Sequence, residues 1–431
     1  AADAYLAYEA GAYPGSPVGA GGASMYLPYD IPNLRAHCLD VIVNKPHTAA
    51  YRAPGTPAAA FAIESVIDEI AEKLDIDPIE IRMTNAADEG TRTADGRLAP
   101  ASLAVKELLD AAKSTEHWNS ERSDSSIGRG IAIGAWGNAG LESNAYASIN
   151  SDGTINMNTG SVDIGGQRAS LAMQLAETLN VPYDDVKPQV VDTDSIGYTA
   201  VSAGSRTTFA TGLAVIEVGK KIQQQIIERV ANFWEVNEGE IKYGNDGIIT
   251  GPNDKKMSFK EMAAMLPSTG GRIQASIDLQ ATTHVPTIAC HIVDVKVDEE
   301  TGKVDIIRST ALQDVGKAIH PSYVEGQTQG GILQGIGMAL YEEYYYDDKG
   351  TLKNASLLDY RMPTTYDIPF TETILVEKPN PGHPYGVKGV GEVPITPPLA
   401  AIANAIYDAA GVRPRELPAT PKRVHKLIKE K

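Results

Sequence analysis

The sequence predicts an α+β protein built from more than one domain. Strand patterns occur as two hairpins, one around Asp152 and Gly153 and one around residues 298–302. Long helical patterns lie before, between and after these hairpins. Strand pairs mixed with long helices are typical of the α+β class, and 431 residues exceed one ordinary compact domain.

The elements follow in order along the chain. Residues 1–55, rich in glycine and proline, are predicted to be irregular apart from a turn and a strand within 29–44. Segment 113–128 is polar and lacks apolar periodicity, so we place a domain boundary there and expect domains at 1–125 and 126–431. Apolar spacing predicts helices over 56–74, 77–90, 101–113, 167–180, 210–235, 323–342 and 397–410.

Composition excludes several classes of function. A net charge of −17 disfavours binding to nucleic acids, since an acidic surface repels a phosphate backbone. The two cysteines, Cys38 and Cys290, form no CxxC pair, so this chain by itself cannot hold an iron–sulfur cluster or a zinc ribbon. No apolar run reaches the roughly 18 residues of a membrane span, and no signal peptide is visible. We therefore expect a cytoplasmic location.

Three glycine-containing segments are predicted to begin helices. They surround Gly165–Gly166, Gly204–Ser205 and Gln327–Gly331. Free backbone N–H groups at a helix start favour anions, and glutamine suits the edge of a heterocycle. Each segment alone fits a capped, tightly packed helix better, but three together favour a bulky cofactor with a pyrophosphate and a heterocycle. The acids Asp192 and Asp194 leave open a metal-dependent pyrophosphate hydrolase, although no further carboxylates support them.

Glu392 is a lone acid in the segment "GVKGVGEVPITPPLAAIANAI". Val390 and Val393 flank it, and the nearest cation in sequence is Lys388. An acid of this kind is suited to accept a proton, because an ion pair would make it a weaker base. The alternative is a turn acid at the start of a helix, capped by Thr396.

The chain resembles the C-terminal part of the molybdenum-binding subunit of the xanthine dehydrogenase/aldehyde oxidase family. Matching segments follow the family's order and include "AAYRAPGTPAAAFAIESVIDEIA", "DPIEIRMTN", "VDIGGQRASLAMQLAE", "VSAGSRTTFATGLAV" and "EGQTQGGILQGIGMALYEE". The resemblance implies two mixed α/β molybdopterin-binding domains, of which this chain carries roughly the second half. The Gly-Gly-Gly-Phe-Gly-type motif of the other half is not found here. Either that half is a separate polypeptide, as in the split subunits of members resembling nicotinate dehydrogenase, or this chain is a fragment of a longer one. We favour the split subunit.

The same resemblance implies roles for particular residues. Glu392 falls on the family's catalytic glutamate, and Arg52 falls on an active-site arginine near the substrate. Arg82 falls on a cofactor-binding arginine, although pairing with Glu80 or Asp77 is an alternative, as is a structural tie for Arg52. The remaining cofactor-contacting positions are Gly165, Gly166, Gln167, Gly204, Ser205, Thr207, Gln327 and Gly391.

The implied function is hydroxylation of an electron-poor carbon with oxygen from water. Expected substrates are N-heteroaromatics such as nicotinate or purines, and secondarily aldehydes. The expected cofactor is molybdopterin with molybdenum, in its cytosine dinucleotide form, with no metal ligand from this chain. Iron–sulfur clusters and FAD are expected on partner subunits, beside the subunit with the N-terminal half. The alternative is a non-catalytic scaffold or maturation partner of such a complex.

Overall fold

The computed structural model describes residues 1–192 and 194–431 and has a mixed α/β architecture, as predicted. The strands are β1 (Ala2–Gly11), β2 (Leu34–Ile42), β3 (Ile127–Trp136), β4 (Leu141–Ile149), β5 (Ile155–Thr159), β6 (Val186–Val190), β7 (Lys242–Tyr243), β8 (Ile248–Thr250), β9 (Lys256–Ser258), β10 (Gln274–Ala281), β11 (Thr287–Val297), β12 (Val304–Asp314) and β13 (Thr371–Val376). Both predicted hairpins are confirmed, since β4 pairs antiparallel with β5 and β11 with β12.

The helices agree with the apolar spacing to within a few residues in most cases. They are α1 (Val18–Ser24), α2 (Thr56–Leu74), α3 (Pro78–Thr84), α4 (Val105–Lys113), α5 (Glu116–Asn119), α6 (Gln167–Leu179), α7 (Gly212–Trp234), α8 (Phe259–Met265), α9 (Pro321–Leu340), α10 (Pro398–Ala410) and α11 (Pro421–Glu430). A π-helical turn, Thr207–Thr211, leads into α7. Such turns are rare in proteins, and many of those that occur lie at functional sites. None of the helices in the described ranges is long and apolar enough to cross a membrane.

Residues 1–55 are more regular than predicted, because β1 occupies Ala2–Gly11. Alanines alternate there with Asp3, Tyr5 and Glu9, and alanine has a low strand propensity. Strand β1 pairs in parallel with β2, whose presence near residues 29–44 was predicted. A strand that is stabilised by its partner rather than by its own residues leaves little trace in the sequence.

Two four-stranded sheets form the centre of the molecule. The order β13-β12-β11-β3 places helices α9, α10 and α11 on one side, where alanines and isoleucines such as Ile332, Ile336 and Ile402 are buried. The order β10-β4-β5-β6 packs on α6 and α7. A further buried cluster joins Leu108 and Leu109 of α4 to Ile288 and Ile292 of β11. Residues on both sides of the predicted boundary therefore share one hydrophobic core.

Buried histidines predict that the protein loses stability below neutral pH. Burial lowers the pKa of His291 to about 3 and that of His383 to about 4. The unfolded chain binds these protons near pH 6.5, and the folded chain does not until the pH is much lower. The free energy of unfolding should therefore fall by about 1–2 kcal/mol per histidine between pH 7 and pH 5, as measured by urea denaturation.

His383→Gln should reduce this pH dependence, because it removes one of the histidines whose pKa is lowered by burial. The matched control is His47→Gln, which replaces an exposed histidine and should leave the dependence unchanged. An equal loss of stability in the wild type and in His383→Gln would contradict the assignment.

Candidate active site

A cavity of about 500 Å³ lies where five segments of the chain meet. Its walls come from the loops 50–54, 164–167, 202–208 and 387–392 and from one face of α9. Lining residues that were predicted from the sequence are Arg52, Gly165, Gly166, Gln167, Gly204, Ser205, Thr207, Gln327, Gly391 and Glu392. The structure thus brings every predicted site residue together except Arg82.

Glu392 lies at the cavity wall with both carboxylate oxygens held. Ser205 donates its hydroxyl proton to Oε2 over 3.0 Å, and the backbone N–H of Ala53 donates to Oε1 over 3.3 Å. Within residues 1–192 and 194–431, no Lys, Arg or His nitrogen lies within 4.0 Å of this carboxylate as an ion pair. The acid is oriented by neutral donors, which leaves its charge available to the cavity.

Lys388, the nearest cation in sequence, faces away from Glu392. Its ammonium lies 2.9 Å from each carboxylate oxygen of Asp314 and 2.5 Å from the backbone oxygen of Ser102, with both side chains fully buried. Burial raises the pKa of the Asp314 carboxyl to about 6, against the opposing attraction of the ammonium. Burial likewise lowers the pKa of Lys388. The pair fastens the 386–392 loop to the end of β12.

Arg52 joins that loop to α9. Its Nε donates to the backbone oxygen of Gly391 over 2.5 Å, and its two terminal nitrogens donate to Gln327 and to Oε1 of Gln334 over 2.8–3.0 Å. Burial lowers the pKa of this guanidinium, and the nearby Glu392 opposes the shift. Most of its donors are used within the protein, as the structural alternative requires, although the side chain still lines the cavity.

The start of α6 does not offer the free N–H groups that were predicted for an anion. The carboxylate of Asp163 accepts hydrogen bonds from the backbone N–H groups of Gly165, Gly166 and Gln167 at 2.8–3.2 Å. Burial alone would raise the pKa of Asp163, but these bonds and Arg168 lower it to about 2. The helix terminus already holds a negative charge, so this part of the prediction is wrong.

Gly165 and Gly166 instead permit close contact with α9. A Cβ at Gly165 would lie 2.3 Å from Nε2 of Gln327, and one at Gly166 would lie 2.2 Å from the ring of Tyr323. Gln167 accepts a hydrogen bond from the N–H of Ile164 through Oε1 at 2.9 Å. No bond from its Nε2 occurs within the described residues, so this amide can donate into the cavity.

The second glycine segment is a helix start, as predicted. Gly204 and Ser205 both have left-handed backbones, with φ of 69° and 55°, and they precede the π-helical turn. The buried guanidinium of Arg206 donates to the backbone oxygens of Gly140 and Ala200 at 2.6 and 3.0 Å. This anchor fixes the loop that carries Ser205, and no pattern in the sequence identifies it.

The third segment lies within α9 rather than at its start. Gln327 and Gln334 are seven residues apart, two helical turns, and therefore lie on the same face. That spacing was visible in the sequence, and it could have identified Gln334 as a second glutamine of the site. A Cβ at Gly331 would lie 2.7 Å from Pro394, and one at Gly335 would lie 2.6 Å from Pro398. These glycines bring the helix against the chain that follows Glu392.

Arg82 does not reach the cavity, which corrects its prediction as a cofactor-binding residue. Its side chain is fully buried, and Nε donates to the carboxylate of Glu64 over 2.9 Å. The other nitrogens donate to the backbone oxygens of Pro78 and Ile131 at 2.8 and 3.3 Å. The alternative, in which Arg82 pairs with Glu80 or Asp77, is also wrong, because its ion-pair partner is Glu64. Arg82 connects α2, α3 and β3 beneath the site.

Comparison with known proteins identifies the family of this chain. A family profile described as "Molybdopterin cofactor-binding domain" matches residues 104–369, and a second of the same description matches residues 1–86. The chain belongs to the molybdopterin cofactor-binding domain family. The profiles meet in the region between residues 86 and 104, and the boundary near residue 125 remains a prediction from composition.

Members of this family with similar sequences are subunits of larger proteins. The chain is 34% identical over 403 residues to the xanthine dehydrogenase molybdenum-binding subunit of Escherichia coli O157:H7, covering 89% of this chain and 54% of that one. It is 28% identical over 436 residues to the nicotine 6-hydroxylase large subunit of Paenarthrobacter nicotinovorans, covering 93% and 53%. The chain therefore spans about half the length of the curated relatives it matches.

A solved structure shows the same fold. The quinoline 2-oxidoreductase of Pseudomonas putida 86 superposes with a TM-score of 0.87 and 26% identity, over 99% of this chain and 60% of that one. The fold of this chain is thus shared with part of a known molybdenum hydroxylase structure, as the resemblance implied.

The cavity has the chemistry to hold a molybdopterin. Nε1 of Trp136 and Nδ1 of His320 are buried atoms of lining side chains without a hydrogen-bond partner among the described residues. With the amide of Gln167 they form a set of polar groups of the kind that a heterocycle and phosphates can satisfy. In the described ranges, no three His, Cys, Asp or Glu side chains cluster as metal ligands. A metal held by a pterin needs no such cluster.

The buried pair of Arg82 and Glu64 predicts a stability effect rather than a cofactor effect. Arg82→Met should lower the free energy of unfolding by about 3–5 kcal/mol, because it leaves the Glu64 carboxylate buried without its cation. Glu64→Gln with Arg82→Met should recover part of this loss, as measured by urea denaturation. The control Arg168→Met removes a partly exposed arginine and should have a small effect. Unchanged stability with loss of bound pterin in Arg82→Met would contradict the correction.

Proposed function

We propose that this chain provides the general base and part of the cofactor site of a molybdenum-dependent hydroxylase of the xanthine dehydrogenase family. The observation that carries the proposal is Glu392, which lies at a cavity wall without an ion pair in the described residues and with both oxygens oriented. A carboxylate in this arrangement can accept a proton from a reacting group. The membership of the chain in a molybdopterin-binding family supports the choice of cofactor.

The residues of the cavity fall into two groups, one that would bind the cofactor and one that would act on the substrate. Gln167, Gln327 and the polar groups of Trp136 and His320 would hold the pterin, for which a cytosine dinucleotide form remains our expectation. A bound molybdenum cofactor would supply the two-electron oxidation and the activation of water. Glu392 would accept the proton that the reacting group releases at the cavity wall. Arg52, fixed by Gly391 and α9, keeps a positive charge near the position where a substrate would gain negative charge.

N-heteroaromatic compounds are the substrates we favour. The relatives include proteins named for xanthine, nicotine and quinoline, and all three compounds contain a ring nitrogen beside an oxidisable carbon. Aldehydes are the second class, since an aldehyde oxidoreductase of Megalodesulfovibrio gigas is 30% identical over 417 residues. In this proposal the second polypeptide completes the walls of the cavity of about 500 Å³, and its residues select among these classes.

An apolar groove supports a second molybdopterin-binding polypeptide as partner. It has a volume of about 750 Å³ and lies between β1 and α2, lined among others by Leu6, Ile63 and Ile67. On the same helix Val66 and Leu74 are 52% and 59% exposed. A parallel sheet of only two strands is marginal on its own and is normally covered. We infer that a second molybdopterin-binding polypeptide adds strands at β1 and covers α2.

Electron transfer requires further partners. The cofactor must return its electrons after each turnover, and the two separated cysteines of this chain cannot bind an iron–sulfur cluster. We therefore retain iron–sulfur and FAD subunits in the proposed complex, located in the cytoplasm. The non-catalytic scaffold remains the second candidate, and molybdenum analysis of the purified complex distinguishes the two.

Glu392→Gln tests the proposal directly. In the native complex we expect kcat for heteroaromatic substrates to fall by about 10²–10⁴-fold, because the amide cannot accept the proton. Molybdenum content should be unchanged, since Gln keeps the size of the side chain. The control Glu217→Gln alters a partly exposed acid on α7 and should keep wild-type activity. Turnover of Glu392→Gln at the wild-type rate would refute the assignment.

The groove is tested by placing charge on it. Val66→Asp with Ile70→Asp should weaken association with the co-expressed second molybdopterin-binding polypeptide by at least about tenfold, because two carboxylates would have to be desolvated in an apolar interface. Co-purification and isothermal titration measure the effect. Phe233→Asp, at an exposed position of α7 away from the groove, is the control. Association at wild-type strength in the double variant would exclude this surface as the interface.

A further inference from the structure

We propose that Ser205 is a positioning residue that aims the carboxylate of Glu392, rather than a contact of the cofactor. The inference rests on the proposed function, because it concerns the same base. Ser205 lines the cavity, but its position there does not by itself show that it orients Glu392.

Two hydrogen bonds in opposite directions join Ser205 and Glu392. The backbone N–H of Glu392 donates to the hydroxyl oxygen of Ser205 over 3.0 Å, and the hydroxyl donates to Oε2 of Glu392 over 3.0 Å. A serine hydroxyl has one proton, so this proton is committed to the carboxylate. The first bond fixes where the hydroxyl oxygen lies, and the second fixes where Oε2 lies. The hydroxyl of Ser205 thus bridges the backbone N–H and the carboxylate of Glu392.

The other carboxylate oxygen is held by a second residue of the same kind. Ala53 donates its backbone N–H to Oε1 over 3.3 Å. Ala53 and Ser205 both have positive φ, 52° and 55°, although neither is glycine. Residues other than glycine adopt this conformation at an energetic cost, and they retain it where the surrounding structure requires it. Two such residues donate to one carboxylate. We infer that the surrounding structure maintains these backbone conformations and that they orient the carboxylate.

The surroundings of Ser205 explain how this conformation persists. The buried side chain of Arg206 fixes the next residue to the backbone of Gly140 and Ala200. On the other side, a Cβ at Gly389 would lie only 2.4 Å from the backbone oxygen of Ser205. The loop is therefore packed from both sides. Glu392 can be oriented before any ligand is present, and misplacement of a reacting group by about 1 Å can cost on the order of 10²-fold in rate.

The test compares Ser205→Ala with Ser205→Gly in the native complex, using a heteroaromatic substrate and dye reduction. Both substitutions remove the hydroxyl, but glycine also removes the backbone strain at φ of 55°. We expect kcat to fall by about 10- to 100-fold in both variants, with KM, molybdenum content and bound nucleotide unchanged. In combination with Glu392→Gln, Ser205→Ala should cause no further loss, because its effect acts through that carboxylate.

Controls separate the alternatives. Ser268→Ala changes an exposed serine that does not line the cavity and should have no effect. Loss of molybdenum or nucleotide from Ser205→Ala would overturn the inference in favour of a cofactor contact. Activity of the glycine variant well above that of the alanine variant would make the backbone, not the hydroxyl, the cause. An unchanged kcat with full molybdenum would overturn the inference alone, whereas a wild-type complex without molybdenum would overturn the proposed function as well.

Discussion

The buried ion pair between Lys388 and Asp314 is the constraint on which the site depends. It connects the glycine-rich loop that carries Glu392 to the last residue of β12, a central strand of the β13-β12-β11-β3 sheet. Replacing either partner would leave a charge without compensation in a fully buried position, so the loop cannot readily detach. The pairing also directs the only nearby lysine of that loop away from Glu392. One contact therefore fixes the position of the loop and keeps Lys388 from pairing with the acid.

Arg52 continues this design from the opposite side. Its guanidinium spans Gly391, Gln327 and Gln334, so the loop of the base and the helix of the cofactor-facing glutamines share one brace. Because the brace comes from the N-terminal segment, residues 1–86 contribute to a cavity formed largely by the rest of the chain. The family division into two molybdopterin-binding units is thus crossed by a side chain at the centre of the site.

Much of the fold could be predicted from the sequence, because it is encoded locally. Helix α2 begins and ends where apolar spacing predicts, and an Asp-Gly turn marks the β4–β5 hairpin. Strand β1 was missed, since its alanines have low strand propensity and its stability comes from β2. The site residues came from the resemblance, and all but Arg82 line one cavity. Arg82 was misassigned because a buried ion pair with Glu64, eighteen residues earlier, depends on how α2 and α3 pack.

Other features of the site could not be read from a linear pattern. Asp163 occupies the N–H groups at the start of α6, which a glycine pair before a helix would otherwise leave open. The reciprocal bonds of Ser205 and Glu392 join positions 187 residues apart. Such contacts are set by the relative placement of sheets and loops. Only spacing along one helix, as for Gln327 and Gln334, was available in advance.

The glycines of α9 have a consequence for ligand entry. Gly331 and Gly335 let the helix backbone touch Pro394 and Pro398 directly, with no side chain between them that could change rotamer. A seam of this type has few alternative arrangements, so the separation between the two glutamines and the acid is set when the polypeptide folds. An incoming cofactor would meet walls of fixed spacing, and the entropy of ordering them would already have been lost. The affinity of such a cleft depends on how well the cofactor fits the preformed walls rather than on a closing movement of the protein.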